Sequence, residues 1–414
     1  MAIEDDDIRD RDVWTSVSRL WYSKASDKAP TTGRLYHHLA ILARPNALQQ
    51  LFYYTKALSV PIPFASARDS IMTLFEPLLR APISENTRLI PIDAGLVKAH
   101  AIIFTGRLRE QFDSALEEFL PKLANHINTT GRNWLETGYH VSISICCSLL
   151  SYGKEDNEIH IAISQTRDEA TEMAIDTTES ETKPEKSFAL ASRLMWGTCA
   201  VIFRRIGDNN VLPFVHVIMV FIFHLTHYPD AISLVDDDIP WELLSVLLNS
   251  LLQSYRDYER IRSSDFPRQA KEVLPRPLPE DFAMKGLPWA EKYHPDGRFS
   301  NEEVDDDEKY FEMASMSEER KERILWLGYR IATHGKWLVY DDSLHQFQPG
   351  AKYQGRTRDA DMMSTLDAED SISGISTVGS GQTSVHAEKG DNEMMDVDND
   401  EEDSSDTSHT SHLR

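Results

Sequence analysis

Apolar residues along this chain recur mainly at three- and four-residue spacings, the period of an α-helix. The clearest case is residues 33–64, GRLYHHLAILARPNALQQLFYYTKALSVPIPF. Leu35, Leu39 and Leu42, then Leu48, Leu51, Phe52 and Leu58, keep that spacing on either side of the break Arg44-Pro45-Asn46. Two short helices folded back on each other are expected. The stretch from Trp14 to Ala25 reads as the second helix of a preceding unit. Residues 64–79 carry one stripe, Phe64, Ala67, Ile71, Leu74, Phe75 and Leu78, with Pro77 expected to kink or end the helix.

Beyond the extended connector 81–92, Asp93 is an expected N-cap for a helix through VKAHAIIFTGRL, and two more helices follow to residue 153. Residues 153–187 lose the pattern and turn acidic, ending in TTESETKPEKS, so a solvated, mostly disordered insertion is expected, with a brief ordered piece near Ile159 to Ile163. Helical spacing returns at Phe188. The most apolar run is residues 211–228, VLPFVHVIMVFIFHLTHY. Its length would permit a marginal membrane span, but Pro213, His216, His224 and His227 favour a buried core helix and no membrane partner. Asp236 to Asp238 with Pro240 read as an acidic start to a helix from Trp241 to about Arg262. Residues 275–299 are irregular, yet Leu278, Phe282, Leu287, Trp289, Tyr293 and Phe299 would not be left in water and must lie on the helical body. The last ordered element packs through Ile324, Leu325, Leu327, Gly328 and Ile331 and ends at Gly335. After Phe347 the chain is expected to be disordered.

With 414 residues and 41% hydrophobic side chains, the chain has enough material for two or three domains around a real core. The net charge of −24 is uneven: residues 361–414 hold 14 acidic residues against Lys389 and Arg414. Half of the acidity therefore belongs to the tail, and the remainder argues against gripping nucleic acid by bulk electrostatics. Three cysteines without paired spacing suit a reducing compartment.

Candidate chemistry is sparse. Phosphate-binding glycine loops, nucleophile elbows and H-E-x-x-H are absent from the sequence, so no catalytic residue, cofactor or metal is expected. His100 reads as a packing and hydrogen-bonding residue, and His224 with His227 lacks a third metal ligand on its helical face. Glu280 and Asp281 invite a catalytic reading, but neighbouring carboxylates point in different directions, and capping of a helix starting near Phe282 is the better account. Arginines cluster at helix ends: Arg204 and Arg205; Arg256, Arg260, Arg262 and Arg268; Arg320, Lys321, Arg323 and Arg330. A solvated helix face is the simplest reading. If a surface meets RNA or single-stranded DNA, Arg256, Arg260 and Arg262 interleaved with Tyr255 and Tyr258 are the candidates.

Gly33, Tyr36, Ala57 and Pro61 stand where a tetratricopeptide helix pair puts its small, aromatic and terminating residues, and Pro30 and Pro61 lie near that repeat's ~34-residue period. The run G-x-x-Y-x-x-L-A-I-L-A with Tyr36 and Leu39, and the P-F-x-x-A-R run with Phe64, resemble the scaffold of the ever-shorter-telomeres and SMG proteins. So do P-W-x-x-L-x-x-x-L-N with Trp241 and Asn249, P-L-P-E-D with Pro279, Glu280 and Asp281, G-L-P-W with Trp289, and R-I-L-x-L-G with Gly328 followed by Trp337. That family comprises telomerase regulators and nonsense-mediated mRNA decay factors.

The resemblance implies an all-α fold. Residues 12–80 would be the C-terminal part of a 14-3-3-like, tetratricopeptide-type domain, residues 93–352 a helical-hairpin domain of DNA/RNA-binding type, and residues 353–414 a disordered acidic tail. Some members end in a nuclease domain, but the region after Tyr353 has no strand-like apolar runs. The family's phosphoserine-binding helices are expected upstream of the matched part, so no phosphate-binding residue is carried over. Two functions stay open. One is a non-enzymatic scaffold in mRNA decay that docks the up-frameshift helicase or sister scaffold subunits. The other is a telomerase-associated regulator of single-stranded DNA or telomerase RNA. Either implies nucleus and cytoplasm.

Overall fold

The structure is a computed structural model, and it describes residues 8–82, 89–169, 186–267, 276–300, 309 and 311–355. The described residues all fall within one compact unit; residues 362–414, the acidic link 302–308 and Arg268 lie outside the described residues. The described chain is all-α apart from one small β-hairpin.

The helices are α1 (Ile8–Lys28), α2 (Gly33–Leu42), α3 (Ala47–Ser59), α4 (Ala67–Arg80), α5 (Pro91–Thr105), α6 (Phe112–Thr130), α7 (Trp134–Leu149), α8 (Glu158–Glu169), α9 (Lys186–Phe203), α10 (Leu212–Thr226), α11 (Pro229–Ser233), α12 (Trp241–Ser254), α13 (Tyr258–Arg262), α14 (Pro279–Met284) and α15 (Ala314–Ala332). Strands β1 (Leu338–Asp341) and β2 (Gln346–Pro349) pair antiparallel, Tyr340 opposite Phe347. Buried residues from Tyr36 to Tyr353 make one continuous core.

The α2–α3 pair forms where the spacing placed it. Asn46 caps α3 by accepting from the Gln49 amide at 3.0 Å. Gly33 opens α2 against the Ala57 carbonyl, which a Cβ would approach to 2.3 Å, so a side chain has no room there. The Gly33 amide donates to Ile62 at 2.8 Å, closing the pair. The apolar run folds into α10, buried on nearly every side in contact with α7 and α15. It is the one described helical stretch long and apolar enough to cross a membrane, and 78% of its window is buried within the protein.

Several expectations are corrected. Of the two outcomes expected at Pro77, an end of the helix is excluded: α4 runs on to Arg80, because a proline forfeits one backbone bond while Ile71, Phe75 and Leu78 stay fully buried on either side of it. Pro91, at the first helical turn, starts α5 after Ile90, so Asp93 sits inside that turn and is not the N-cap. Burial raises its carboxyl to about 6. The brief ordered piece expected near Ile159 to Ile163 is there and is longer, α8, which buries Ile159 and is anchored by Asn157, whose side chain accepts from the Ile159 amide at 3.1 Å. Residues 170–185 lie outside the described residues. Order continues past Phe347: Asn249 accepts from the Phe347 amide at 2.7 Å and donates to its carbonyl at 2.9 Å, so one side chain on α12 stands in for a neighbouring strand. Tyr353, assigned to the tail, is buried and donates to Asp236 at 2.7 Å. Asp236 also accepts from the Trp337 indole at 3.3 Å, so this carboxylate ties down both sides of the β-hairpin.

Candidate functional site

The proline-rich segment lies on the helices as expected, and its attachment is ionic as well as apolar. Asp281 closes α14 onto its own start by accepting from the Leu278 amide at 2.9 Å, so the capping account holds, with the helix beginning at Pro279. Glu280 and Asp281 are both fully buried. Glu280 receives two bonds from Arg320, Nε to Oε1 at 2.6 Å and Nη2 to Oε2 at 2.9 Å, and lies 2.8 Å from His216 Nδ1. His216 Nε2 meets the Tyr293 hydroxyl at 2.6 Å. Asp281 accepts from Arg323 at 2.7 Å and from Arg298 at 3.3 Å, and Glu319 takes further bonds from both arginines. Glu312 completes the set against Arg320 at 2.8 Å.

Burial alone would push the Glu280 carboxyl up; the Arg320 charge and the hydrogen bonds from His216 and Arg320 outweigh it and bring it down to about 2. Asp281 is likewise held well below the carboxylate range, its burial outweighed chiefly by Arg323. A general acid needs a raised pKa and a base needs access. These carboxylates have neither, and their work is to clamp the P-L-P-E-D loop onto α10 and α15. The sequence pattern did not reveal these partners and placed Arg320 and Arg323 on a solvated face, whereas both are fully buried. A signal existed: Arg320, Ile324, Leu327 and Ile331 share one helical stripe, so extending the apolar face one turn back reaches Arg320.

The other signature residues are structural too. The Tyr36 hydroxyl donates to Pro30 at 2.9 Å. Leu39 is buried in the α2–α3 contact. Phe64 lies against the His37 ring. The Trp241 indole donates to the Asp236 carbonyl at 2.9 Å. Gly328 lets Leu248 approach to 3.0 Å of where a Cβ would be, and Trp289 packs edge-on against Phe221. His100 bonds to Tyr152, 2.9 Å from Nδ1 to the hydroxyl, and His227 Nδ1 meets the Phe223 carbonyl at 2.8 Å. Among the described residues no cluster of His, Cys, Asp or Glu could hold a metal ion.

The arginine and tyrosine candidates gather at the end of α12 and on α13. Arg256 is exposed and makes no ion pair among the described residues. Arg260 pairs with Glu322 at 2.5 Å, and Arg262 with Asp342 at 2.7 Å. Tyr258 stacks on His345, ring centroids 4.3 Å apart, and Tyr255 is half-buried with its hydroxyl inside. The face is thus basic and aromatic, with carboxylates competing for two of its three cations.

Lys56 was not singled out by sequence. Its ammonium is buried in α3, donates to the Ala283 carbonyl of α14 at 2.6 Å and sits 4.3 Å over the Tyr36 ring. Burial lowers it to about 7. Because the folded value lies below that of the unfolded lysine, the unfolded chain holds the extra proton between about pH 7 and 10. Stability should therefore rise across that window, by up to roughly 4 kcal/mol. Urea unfolding of the protein and its Lys56→Met variant at pH 7 and 9 checks this: the rise should be largely abolished in the variant.

A family model described as the Est1 DNA/RNA binding domain matches residues 18–293, which takes in α2 to α14. Telomerase-binding protein EST1A of Danio rerio is 38% identical over 74 residues, 17% of this chain and 5% of that relative. A chain from the crystal structure of Est1 and Cdc13 superposes with a TM-score of 0.52 at 12% identity, over 79% of this chain and 64% of that one, a likeness of fold alone. The chain thus spans less than two thirds of either. With the family model covering most of the helical body, the chain belongs to the Est1 DNA/RNA-binding domain family.

Proposed function

We propose that the protein is a non-enzymatic adaptor whose helical body brings a protein partner and a single-stranded nucleic acid together. The family match over residues 18–293 carries this reading. The buried, arginine-paired state of Glu280 and Asp281 supports the non-enzymatic part. The nucleic-acid surface of this reading is the face of Arg256, Arg260, Arg262, Tyr255 and Tyr258. Phosphates there would replace Glu322 and Asp342 as partners of Arg260 and Arg262, and bases would stack beside the tyrosines. In the decay pathway the docked protein would be the up-frameshift helicase or a sister scaffold subunit, working in nucleus and cytoplasm. The names of the matched proteins, one telomerase-binding and one solved with Cdc13, favour the telomerase branch as a second reading.

Fluorescence anisotropy with a telomeric single strand and an unrelated single-stranded RNA tests the surface. Neutralising Arg256, Arg260 and Arg262 to glutamine should weaken binding and flatten the log–log salt slope by about 0.7 for each phosphate no longer neutralised. Affinity unchanged in the triple variant would remove this face. Preference for the telomeric strand selects the telomerase branch. Recovery of decay proteins from nuclease-treated lysate selects the other.

A further inference from the structure

A cavity of about 550 Å³ opens between α8, α10 and the G-L-P-W run, sharing no residue with the arginine face. Its volume falls in the range of about 300–1,000 Å³ that holds specific ligands. Ile159 and Ile163 from α8, Phe221 and Leu225 from α10, and Trp289 make the apolar part of the wall, with His160 and His224 among them. Three observations bear on the occupant. Trp289 is only 2% exposed, yet its indole Nε1 has no acceptor among the described residues. A buried donor left unmade is costly, and an indole suits a place where an apolar body meets one acceptor. The second observation is charge. Glu155 and Glu291 both line the cavity, are exposed and make no ion pair among the described residues. The third is that the neighbouring cation Lys154 lines a separate cavity beside Arg109.

We propose that this cavity docks a short segment of a partner protein. A bulky apolar side chain enters between α8 and α10, a Lys or Arg beside it meets Glu155 and Glu291, and a backbone carbonyl accepts from Trp289 Nε1. The site goes beyond the adaptor reading, because it defines a basic, apolar-anchored peptide as cargo whichever pathway the protein serves.

Fluorescein-labelled peptides with a central Leu, Phe, Met or Trp, flanked by Lys/Arg, by Asp/Glu or by Gln, are titrated against the full chain. Basic peptides with the apolar anchor should bind best. The double variant Glu155→Lys/Glu291→Lys, altered only at exposed positions, should weaken them about fivefold and improve the acidic set. Trp289→Phe, which keeps the ring and loses the donor, should weaken every binder about fivefold. Circular dichroism melting confirms that both variants fold, and Ile163→Arg at the half-buried wall gives a second way to block the cavity. The proposal is overturned if no basic peptide outbinds its acidic counterpart, or if binding is unchanged in the charge and Ile163→Arg variants. Binding seen only after deletion of residues 170–185 would make the chain's own segment the occupant. A dimer that dissociates in Ile163→Arg would make it a second copy. Either result would also overturn the proposal, and none of these bears on the arginine face.

Discussion

Asp281→Ala is expected to lower the unfolding free energy by about 3–5 kcal/mol, one of the two largest effects of any single change proposed for this protein. Asp281 is the common acceptor of Arg323, Arg298 and the Leu278 amide. Its removal strands two guanidinium groups in a site where both are almost wholly buried, with Glu319 the one carboxylate left bonded to them among the described residues. It also releases the first turn of α14. Denaturant unfolding followed by tryptophan fluorescence measures the destabilisation, and a value under about 1 kcal/mol would show the cluster to be solvated. Arg323→Met on the Asp281→Ala background should restore part of the stability, because it withdraws the stranded charge. The coupling in that cycle separates the ion pair from the packing that the truncation removes.

The same cluster sets an acid limit. Glu280 titrates near 2 in the folded state and near 4.3 when unfolded, a depressed folded pKa. The stabilisation it brings is therefore complete above about pH 5 and is lost as pH falls toward 2, roughly 3 kcal/mol in all. Glu280→Gln should blunt that acid sensitivity while lowering stability at pH 7.

Gly286→Ala is expected to be as damaging by a different route. Gly286 adopts φ +88°, and a Cβ there would stand 2.0 Å from the Pro30 carbonyl oxygen. Strain at such a φ costs about 1–3 kcal/mol, and the obstacle is backbone, which cannot swing aside. The G-L-P-W run would have to lift from the turn between α1 and α2, taking Lys285 from the Asp27 carbonyl it meets at 2.7 Å. A destabilisation of at least ~3 kcal/mol and faster proteolysis within residues 276–300 are expected. A stable, protected Gly286→Ala protein would contradict the close approach.

The helical body was legible in sequence because its signal is local. Period and breaks placed α2, α3 and α10 within a few residues, since each is bounded by Pro, Gly or Asn; the helix expected from Trp241 to about Arg262 instead stops at Ser254, and α13 starts anew at Tyr258, where Asp257 accepts from the Arg260 amide. The errors arose where a distant group overrode a local rule. Pro77 is carried through by burial on both sides, and Tyr353 is retained by Asp236, 117 residues away in sequence. The arginine candidates were visible in sequence as a local cluster, but Glu322 and Asp342, which pair with two of them, come from α15 and the turn of the β-hairpin.

By itself the sequence determined the fold class and the family, because helical periodicity and short motifs need only nearby residues to be read. The tertiary structure alone decided which charges are solvated and which are buried. Arg204, in the turn just past α9, and Arg320 on α15 are the same side chain, yet one is exposed and the other is enclosed by Glu280 and Glu312. Coulomb energy and desolvation depend on distance and on the exclusion of water, and these are fixed only once α10, α14 and α15 have packed together.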